Sequence, residues 1–169
     1  CNIDNIINFP VPEKFNDSEM DFLITNGVLP FDKTNNLDLL IIQAGADMLD
    51  GDPQSRICLT NNAYWKAISD LLSLCKNVII LGGGGYNPYL TAKAWAGNWA
   101  LLNNNVNLLD DVMKPECYNL LKSLKWNNSR VRNGIPDNWI SNWRDKKSNS
   151  KVGDEIKSLL DQVLKIKKI

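Results

Sequence analysis

Three carboxylates lie close together in one loop of the sequence. Asp47, Asp50 and Asp52 fall within residues 43–53, a segment that also contains two glycines and ends on a proline. Carboxylate oxygens bind hard or borderline metal cations. Acidic residues in glycine-rich loops also cap turns and helices without binding any ligand. The spacing alone therefore leaves both a metal site and a purely structural loop open.

A second unusual loop places Tyr86 directly after four glycines, residues 82–85. A run without Cβ atoms lets another group approach the backbone closely. The run lacks the Gly-Lys-Ser or Gly-Lys-Thr of a P-loop, and Asn87 stands where a dinucleotide-binding fingerprint needs its third glycine. A tyrosine hydroxyl can donate a hydrogen bond to a developing oxyanion, although a half-buried aromatic is the commoner role of tyrosine.

Each of these loops follows a short apolar run that predicts a β-strand. Residues 37–42 and 78–81 are nearly continuous in Leu, Ile and Val, the pattern of strands buried on both faces of a parallel sheet. Sites in parallel α/β sheets form outside the carboxyl ends of the strands. The sequence therefore predicts that Asp47 and Tyr86 meet at one rim of a shared sheet.

Helices are predicted after both loops and in the C-terminal tail. The first is expected to begin at Asn61 or Asn62, since asparagine is a favoured N-cap. The other predicted helices cover residues 89–102, 116–124, 137–143 and 152–168. The predicted helix at 89–102 has an apolar stripe formed by Ala92, Trp95, Trp99 and Leu102.

The composition excludes several classes of protein. The 169 residues include no histidine, so the chain cannot hold a Ser-His-Asp triad or any His-containing zinc site by itself. Its 19 basic and 19 acidic residues give no support for binding nucleic acid or a membrane surface. The four cysteines lack C-x-x-C spacing, which favours free thiols in a reduced compartment and a cytoplasmic protein.

Both loops match the motifs of one known family. Residues 81–88, Leu-Gly-Gly-Gly-Gly-Tyr-Asn-Pro, followed by Ala-Lys-Ala-Trp at 92–95, resemble the tyrosine motif of the histone deacetylase superfamily. Residues 42–47, Ile-Gln-Ala-Gly-Ala-Asp, followed by Gly-Asp-Pro at 51–53, resemble its second metal-binding aspartate loop. Residues 59–65 are similar to bacterial acetoin-utilisation-type members. The order of the two motifs, separated by one helix and one strand, matches as well.

The resemblance implies an α/β fold: the C-terminal part of a parallel-sheet, arginase/deacetylase-like three-layer fold, with a helical tail. Asp47 would be one of three protein ligands of a catalytic Zn²⁺. Tyr86 would hydrogen-bond the acetyl carbonyl and stabilise the tetrahedral oxyanion. Gly84 and Gly85 would line the substrate pocket near the zinc, and Gln54 would lie near the channel for the acylated side chain.

The rest of the family's active site has no match in this chain. The family's paired histidines and its Asp-x-His motif, which carries the other two zinc ligands, are absent. We therefore expect residues 1–105 to be the C-terminal half of a catalytic domain, and residues 106–169 to be a helical extension packed on it. The chain alone should be inactive and lack a tight zinc site. The substrate of the complete protein would be acetyl-lysine or a small acetylated amine, and Asp52 would organise the loop.

Two other interpretations remain open on the sequence. A nucleotide-binding α/β domain could use the four glycines, and it would be indifferent to zinc chelators. A non-catalytic interaction module could act through a tail rich in tryptophan, namely Trp126, Trp139 and Trp143. Aromatic residues at irregular spacing more often pack into a core than recognise a partner.

Overall fold

The computed structural model describes residues 6–32, 37–148 and 150–167. Two parallel strands form its sheet, β1 (Leu40–Ala44) and β2 (Val78–Gly82). They pair in register from Leu40 opposite Val78 to Ala44 opposite Gly82. Both predicted strands are therefore present, and the first lies slightly later in the chain than its apolar run suggested.

Helices make up most of the remaining structure. They are α1 (Asp17–Leu23), α2 (Leu29–Asp32), α3 (Asn61–Leu72), α4 (Pro88–Leu102), α5 (Pro115–Ser123), α6 (Asp137–Ile140) and α7 (Asp154–Lys167). A π-helical turn, Ile24–Val28, joins α1 to α2. None of the helices in the described ranges is long and apolar enough to cross a membrane. The helices expected at 89–102 and 116–124 are confirmed within one residue at each end, whereas the one near 137–143 ends earlier. The helix expected at 152–168 begins two residues late, at Asp154, and residue 168 lies outside the described residues.

The first turn of α3 is capped from the distant tail. The N-cap residue is Thr60, whose side chain makes no capping hydrogen bond. The backbone N–H of Asn61 instead donates to Asp145 Oδ2 at 2.9 Å. The Asn61 side chain accepts from the backbone N–H of Asp145 and donates to the Trp143 carbonyl. The prediction that Asn61 or Asn62 is the N-cap is wrong, because Thr60 holds that position. The N–H of Asn61 is satisfied instead by a carboxylate 84 residues away.

The two faces of the sheet differ sharply in burial. Ile42 is 8% exposed and joins Ala44 in the main core. Its neighbour Ile41, on the opposite face of the same strand, is 57% exposed. On β2 the outward residues Ile79 and Leu81 are also exposed. The prediction that both faces are buried is therefore wrong, since within the described ranges helices cover only one face.

The covered face packs against α3 and α4. Trp65 of α3 is buried, and its indole N–H donates to the carbonyl of Ala94 on α4 at 3.0 Å. Leu90 and Ala94 of α4 are buried in the same core. The predicted apolar stripe of α4 is therefore not its core face: Trp99 and Leu102 lie exposed, because α4 turns its Ala94 side toward Trp65.

A second, smaller core joins the two ends of the described chain. It is formed by Phe15, Leu23, Leu59, Ala63, Ile156 and Leu160. Helix α1 enters it through a capping box, in which the Asn16 side chain accepts from Ser18 and Glu19, and the Glu19 carboxylate accepts from the Asn16 N–H. Glu19 also accepts from the Gly153 N–H just before α7. These contacts hold α7 against α1.

Candidate active site

The two glycine-rich loops meet where β1 and β2 end. Ala44 and Gly82 are the last paired residues of the sheet. Two residues further on, the N–H of Ala46 donates to the carbonyl of Gly84 at 2.7 Å. This hydrogen bond continues the parallel pairing beyond the strands. The loops are thus neighbours at the carboxyl edge of the sheet, as the βαβ argument predicts.

The Asp47 carboxylate lies directly against Gly84. A Cβ atom placed on Gly84 would be 2.2 Å from Asp47 Oδ2, far inside van der Waals contact. A side chain at residue 84 would therefore displace the carboxylate, which explains why glycine is needed there. Asp47 itself is half-buried. The carboxylate consequently packs against the backbone of the second loop at Gly84, two residues before Tyr86.

Asp52 ties the first loop to the backbone of the second. Its side chain is only 1% exposed, and Oδ2 accepts a hydrogen bond from the Tyr86 N–H at 2.7 Å. Oδ1 accepts from the Gln54 N–H at 2.9 Å. Hydrogen bonds to a charged carboxylate are about twice as strong as neutral ones. Asp52 therefore organises both loops, in agreement with the expectation from sequence, while the exposed Gln54 gains a fixed backbone position.

Asn87 reinforces this junction and was missed as a site residue. Its side-chain Oδ1 caps α4 by accepting from the N–H groups of Tyr89 and Leu90, and its Nδ2 donates to the Gly51 carbonyl at 3.1 Å. An asparagine before proline at a helix start is a recognisable N-cap signal, because proline is favoured at the first helical position. That signal could have identified the cap, although not the contact with Gly51.

Tyr86 presents its side chain at the rim. The residue is 47% exposed, and its backbone is fixed by Asp52 before the N-terminus of α4. Gly84 and Gly85 beside it are half-buried. The structure thus brings together the loops that carry Asp47 and Tyr86, with Gly84 in contact with Asp47. The chemical roles assigned to these residues stay predictions.

The negative charge of Asp47 affects the pKa of a buried tyrosine on α3. Tyr64 on α3 donates its O–H to the Ala44 carbonyl at 3.2 Å and accepts from Asn98 Nδ2 at 3.0 Å. Burial raises the pKa of the Tyr64 phenol above 10.0, the hydrogen bond from Asn98 opposes this rise, and the Asp47 charge adds to it. The Tyr64 phenol, at the end of β1, and the Asp47 carboxylate therefore interact electrostatically.

The described residues do not provide a complete set of metal ligands at this rim. Among the described residues, no group of three or more His, Cys, Asp or Glu side chains is arranged to hold a metal ion. Asp47 is half-buried and Tyr86 is 47% exposed, so both side chains reach the surface at the rim.

Comparison with known proteins gives the family of this chain. The family model for the histone deacetylase domain matches residues 2–102, which include both glycine-rich loops. The chain belongs to the histone deacetylase family. The predicted superfamily is therefore confirmed. The narrower resemblance to acetoin-utilisation-type members stays a prediction.

Curated histone deacetylases are similar over about half of this chain. Histone deacetylase 8 of Xenopus laevis is 33% identical over 97 residues, which are 57% of this chain and 30% of that protein. Putative histone deacetylase 2 of Caenorhabditis elegans is 30% identical over 90 residues, which are 53% of this chain and 18% of that protein. The chain spans less than a third of the length of these relatives.

Solved structures of histone deacetylase homologues share the fold. The homologue from Aquifex aeolicus superposes with a TM-score of 0.79 at 26% identity, over 92% of this chain and 41% of that chain. An HDAC homologue in complex with SAHA gives a TM-score of 0.78 at 26% identity, with the same two coverages. The predicted deacetylase-like α/β fold is confirmed. The division of the chain at residue 105 stays a prediction.

Proposed function

We propose that this histone deacetylase family chain supplies Asp47 and Tyr86 to a zinc-dependent deacetylase that hydrolyses an acetyl amide. One observation carries the proposal. The Asp47 carboxylate lies against Gly84, two residues before Tyr86, at the carboxyl edge of a parallel sheet. A metal-binding carboxylate and a hydroxyl donor are thereby held at one rim by hydrogen-bonded loops.

The surroundings of Asp47 suit a metal ligand. Glycine at residue 84 leaves room for the carboxylate, and Asp47 is half-buried just beyond the end of β1. Carboxylate oxygen is an accepted zinc ligand, but a catalytic zinc site needs three protein ligands. When bound, zinc polarises the substrate carbonyl and lowers the pKa of a bound water. Asp47 would hold one side of that ion.

Tyr86 would act on the substrate carbonyl. Its exposed phenol can donate its O–H to the oxygen that becomes negative when the amide is attacked. A donor fixed before the reaction costs no reorganisation at the transition state, which is the basis of oxyanion stabilisation. The backbone end of this donor is held in place, because the buried carboxylate of Asp52 accepts the Tyr86 N–H. Gly84 and Gly85 would flank the bound acetyl group, and Gln54 would lie near the channel for its amine side.

The remaining machinery must come from polypeptide outside these 169 residues. A proton acceptor for the attacking water and a donor for the leaving amine are histidines in the family, and this chain contains none. Parallel sheets are normally covered on both faces, whereas Ile41 and Leu81 stand exposed on one face here. We therefore propose that the complementary part of a deacetylase domain covers this face and brings the missing ligands. Acetyl-lysine or a small acetylated amine would be the substrate.

The test uses an enzyme assembled from this chain and the polypeptide encoded directly upstream, which we expect to carry a His-His pair and an Asp-x-His motif. Removing one oxyanion donor costs about 10²–10³ in kcat, so Tyr86→Phe should lose that much turnover of an acetyl-lysine peptide while zinc content stays unchanged. Tyr118→Phe is the matched control, because its phenol contacts Asp137 in the tail instead. Full turnover by the Tyr86→Phe variant would refute the role of Tyr86.

A further inference from the structure

Gly51 precedes Asp52, whose carboxylate accepts the Tyr86 N–H, and the Gly51 peptide is itself constrained. Gly51 adopts a φ of +107°, in the region that favours glycine. Its carbonyl accepts a hydrogen bond from Asn87 Nδ2 at 3.1 Å. The position of this peptide therefore fixes where the next residue, Asp52, directs its oxygens toward the Tyr86 N–H.

The C-terminal tail packs against the other side of Gly51. A Cβ atom on Gly51 would lie 2.9 Å from Cζ2 of Trp139 and 3.1 Å from Cδ1 of Leu90. The indole of Trp139 is thus in direct contact with the loop, with no space for a side chain between them. Trp139 belongs to α6, which lies outside residues 2–102, the range that matches the histone deacetylase domain.

A buried ion pair anchors the segment that carries Trp139. Lys93 on α4 is 2% exposed, and its Nζ donates to the Asn138 carbonyl at 3.2 Å and to Asp145 Oδ1 at 2.9 Å. Asp145 also accepts from the Asn61 N–H at the start of α3. A buried ammonium group without a partner is costly, so Lys93 strongly favours this placement of the tail.

Aromatic packing sets the orientation of the indole. The ring centroids of Trp139 and Tyr89 are 6.2 Å apart, and those of Trp139 and Trp126 are 6.4 Å apart. Such distances are within the range of favourable aromatic pairs. Trp139 is buried in this cluster. Its face against Gly51 is therefore fixed from three directions: the loop, the aromatic neighbours and the Lys93 anchor.

We propose that Trp139 is a positioning residue for Tyr86, acting through the Gly51 peptide and the Asp52 carboxylate. The tail segment around α6 would then be a working part of the deacetylase site. The inference relies on the proposed function only in that the Tyr86 phenol acts on substrate; the coupling from Trp139 to the Tyr86 backbone is a property of this chain alone.

The Tyr86 amide provides a direct readout in the isotopically labelled chain. Because it donates to a carboxylate at 2.7 Å, its proton resonance should lie downfield and exchange slowly with solvent. Trp139→Ala should move this resonance upfield and speed its exchange about tenfold or more, as expected for loss of a hydrogen-bonding geometry worth about 1.4 kcal/mol or more. Trp139→Phe should restore most of the wild-type position.

Trp99→Ala is the matched control, because it removes an equally large indole that is 58% exposed on α4. It should leave the Tyr86 amide unchanged. Amides of Ile156 and Leu160 in the second core report whether each variant is folded. If Trp139→Ala does not fold, Trp139→Leu and Trp139→Phe provide the comparison. An unchanged Tyr86 amide in any folded Trp139→Ala or Trp139→Leu variant would overturn the proposal, as would an equal shift in Trp99→Ala.

In the assembled enzyme, Trp139→Leu should lower kcat about tenfold to a hundredfold with little change in KM, because misplaced donors impair the transition state more than substrate binding. A proportionate rise in KM alone would contradict a positioning role. The outcomes are separable from those of the proposed function. A Tyr86 amide that responds to Trp139, combined with full turnover by Tyr86→Phe, would retain the coupling and reject the catalytic role.

Discussion

The two faces of one small sheet have very different surroundings. On the covered face, Ile42 and Ala44 pack under α3 and α4, and the tail packs against the loop that follows β1. On the open face, Ile41 and Leu81 are exposed. The same strands thus contribute to a buried core on one face, whereas their apolar side chains are exposed on the other.

This difference explains how the chain holds the loops that carry Asp47 and Tyr86 in place. The residues at the rim are fixed from the covered side, through Asp52, Asn87 and Trp139, which depend on contacts inside the described chain. Nothing comparable supports the rim from the open side within the described residues. The comparison therefore predicts that changes on the covered face are costly, whereas equal changes on the open face cost little until a partner segment binds there.

Ile42→Ala should have the largest effect on stability. Ile42 is 8% exposed in the main core, and deleting a buried isoleucine side chain typically costs about 2–5 kcal/mol through lost burial and a cavity. Chemical denaturation of the purified chain, with the slope m compared between variants, measures the change in the free energy of unfolding.

Ile41→Ala is the matched control for this substitution, one residue away on the same strand. Ile41 is 57% exposed, so the free energy of unfolding should change by no more than about 0.5 kcal/mol. A loss similar to that of Ile42→Ala would show that the open face is covered in the isolated chain, for example by self-association, and the comparison of the faces would fail.

A smaller effect should appear at alkaline pH. Burial raises the folded-state pKa of Tyr64 above its ordinary 10.0, with a further contribution from the Asp47 charge. The stabilisation from the neutral phenol is fully present below the unfolded pKa and is lost as pH rises through the folded pKa. The free-energy difference between wild type and Tyr64→Phe should therefore shrink as the pH is raised from about 8 to about 11.

Asp47→Asn sharpens this test, because it removes the charge while keeping the shape of the side chain. The pKa of Tyr64, followed by ultraviolet absorbance of the phenolate, should fall in this variant. Asp111→Asn, at an exposed position on a loop of the tail, is the control and should leave it unchanged. An identical Tyr64 titration in Asp47→Asn would mean that the Asp47 carboxylate is not close to the strand end.

Local sequence patterns predicted the parts of the fold that depend on neighbouring residues. The apolar runs located β1 and β2, and the loops after them correctly placed Asp47 and the Tyr86 backbone at one edge, because parallel strands end together. The extent of helix α4 was predicted to within one residue, although its core face was not. The family followed from the two loop motifs in their order.

Features set by distant contacts could not be read from the sequence. An apolar run predicts burial but does not say which elements cover each face, so the exposure of Ile41 and Leu81 was missed. The cap of α3 comes from Asp145, 84 residues from Asn61. The partner of Lys93 is 52 residues away. No local pattern marks such pairs, and for the same reason the contact between Trp139 and Gly51 was not anticipated.

A zinc titration tests the central claim most directly, since the claim is that Asp47 supplies one ligand of a site completed by another part of the domain. The isolated chain should show no tight stoichiometric binding, because a catalytic zinc site needs three protein ligands. The enzyme assembled with the upstream-encoded polypeptide should bind one zinc ion, and Asp47→Asn should abolish this binding. Stoichiometric tight binding by the isolated chain, or an assembled Asp47→Asn enzyme that keeps its zinc, would contradict the assignment.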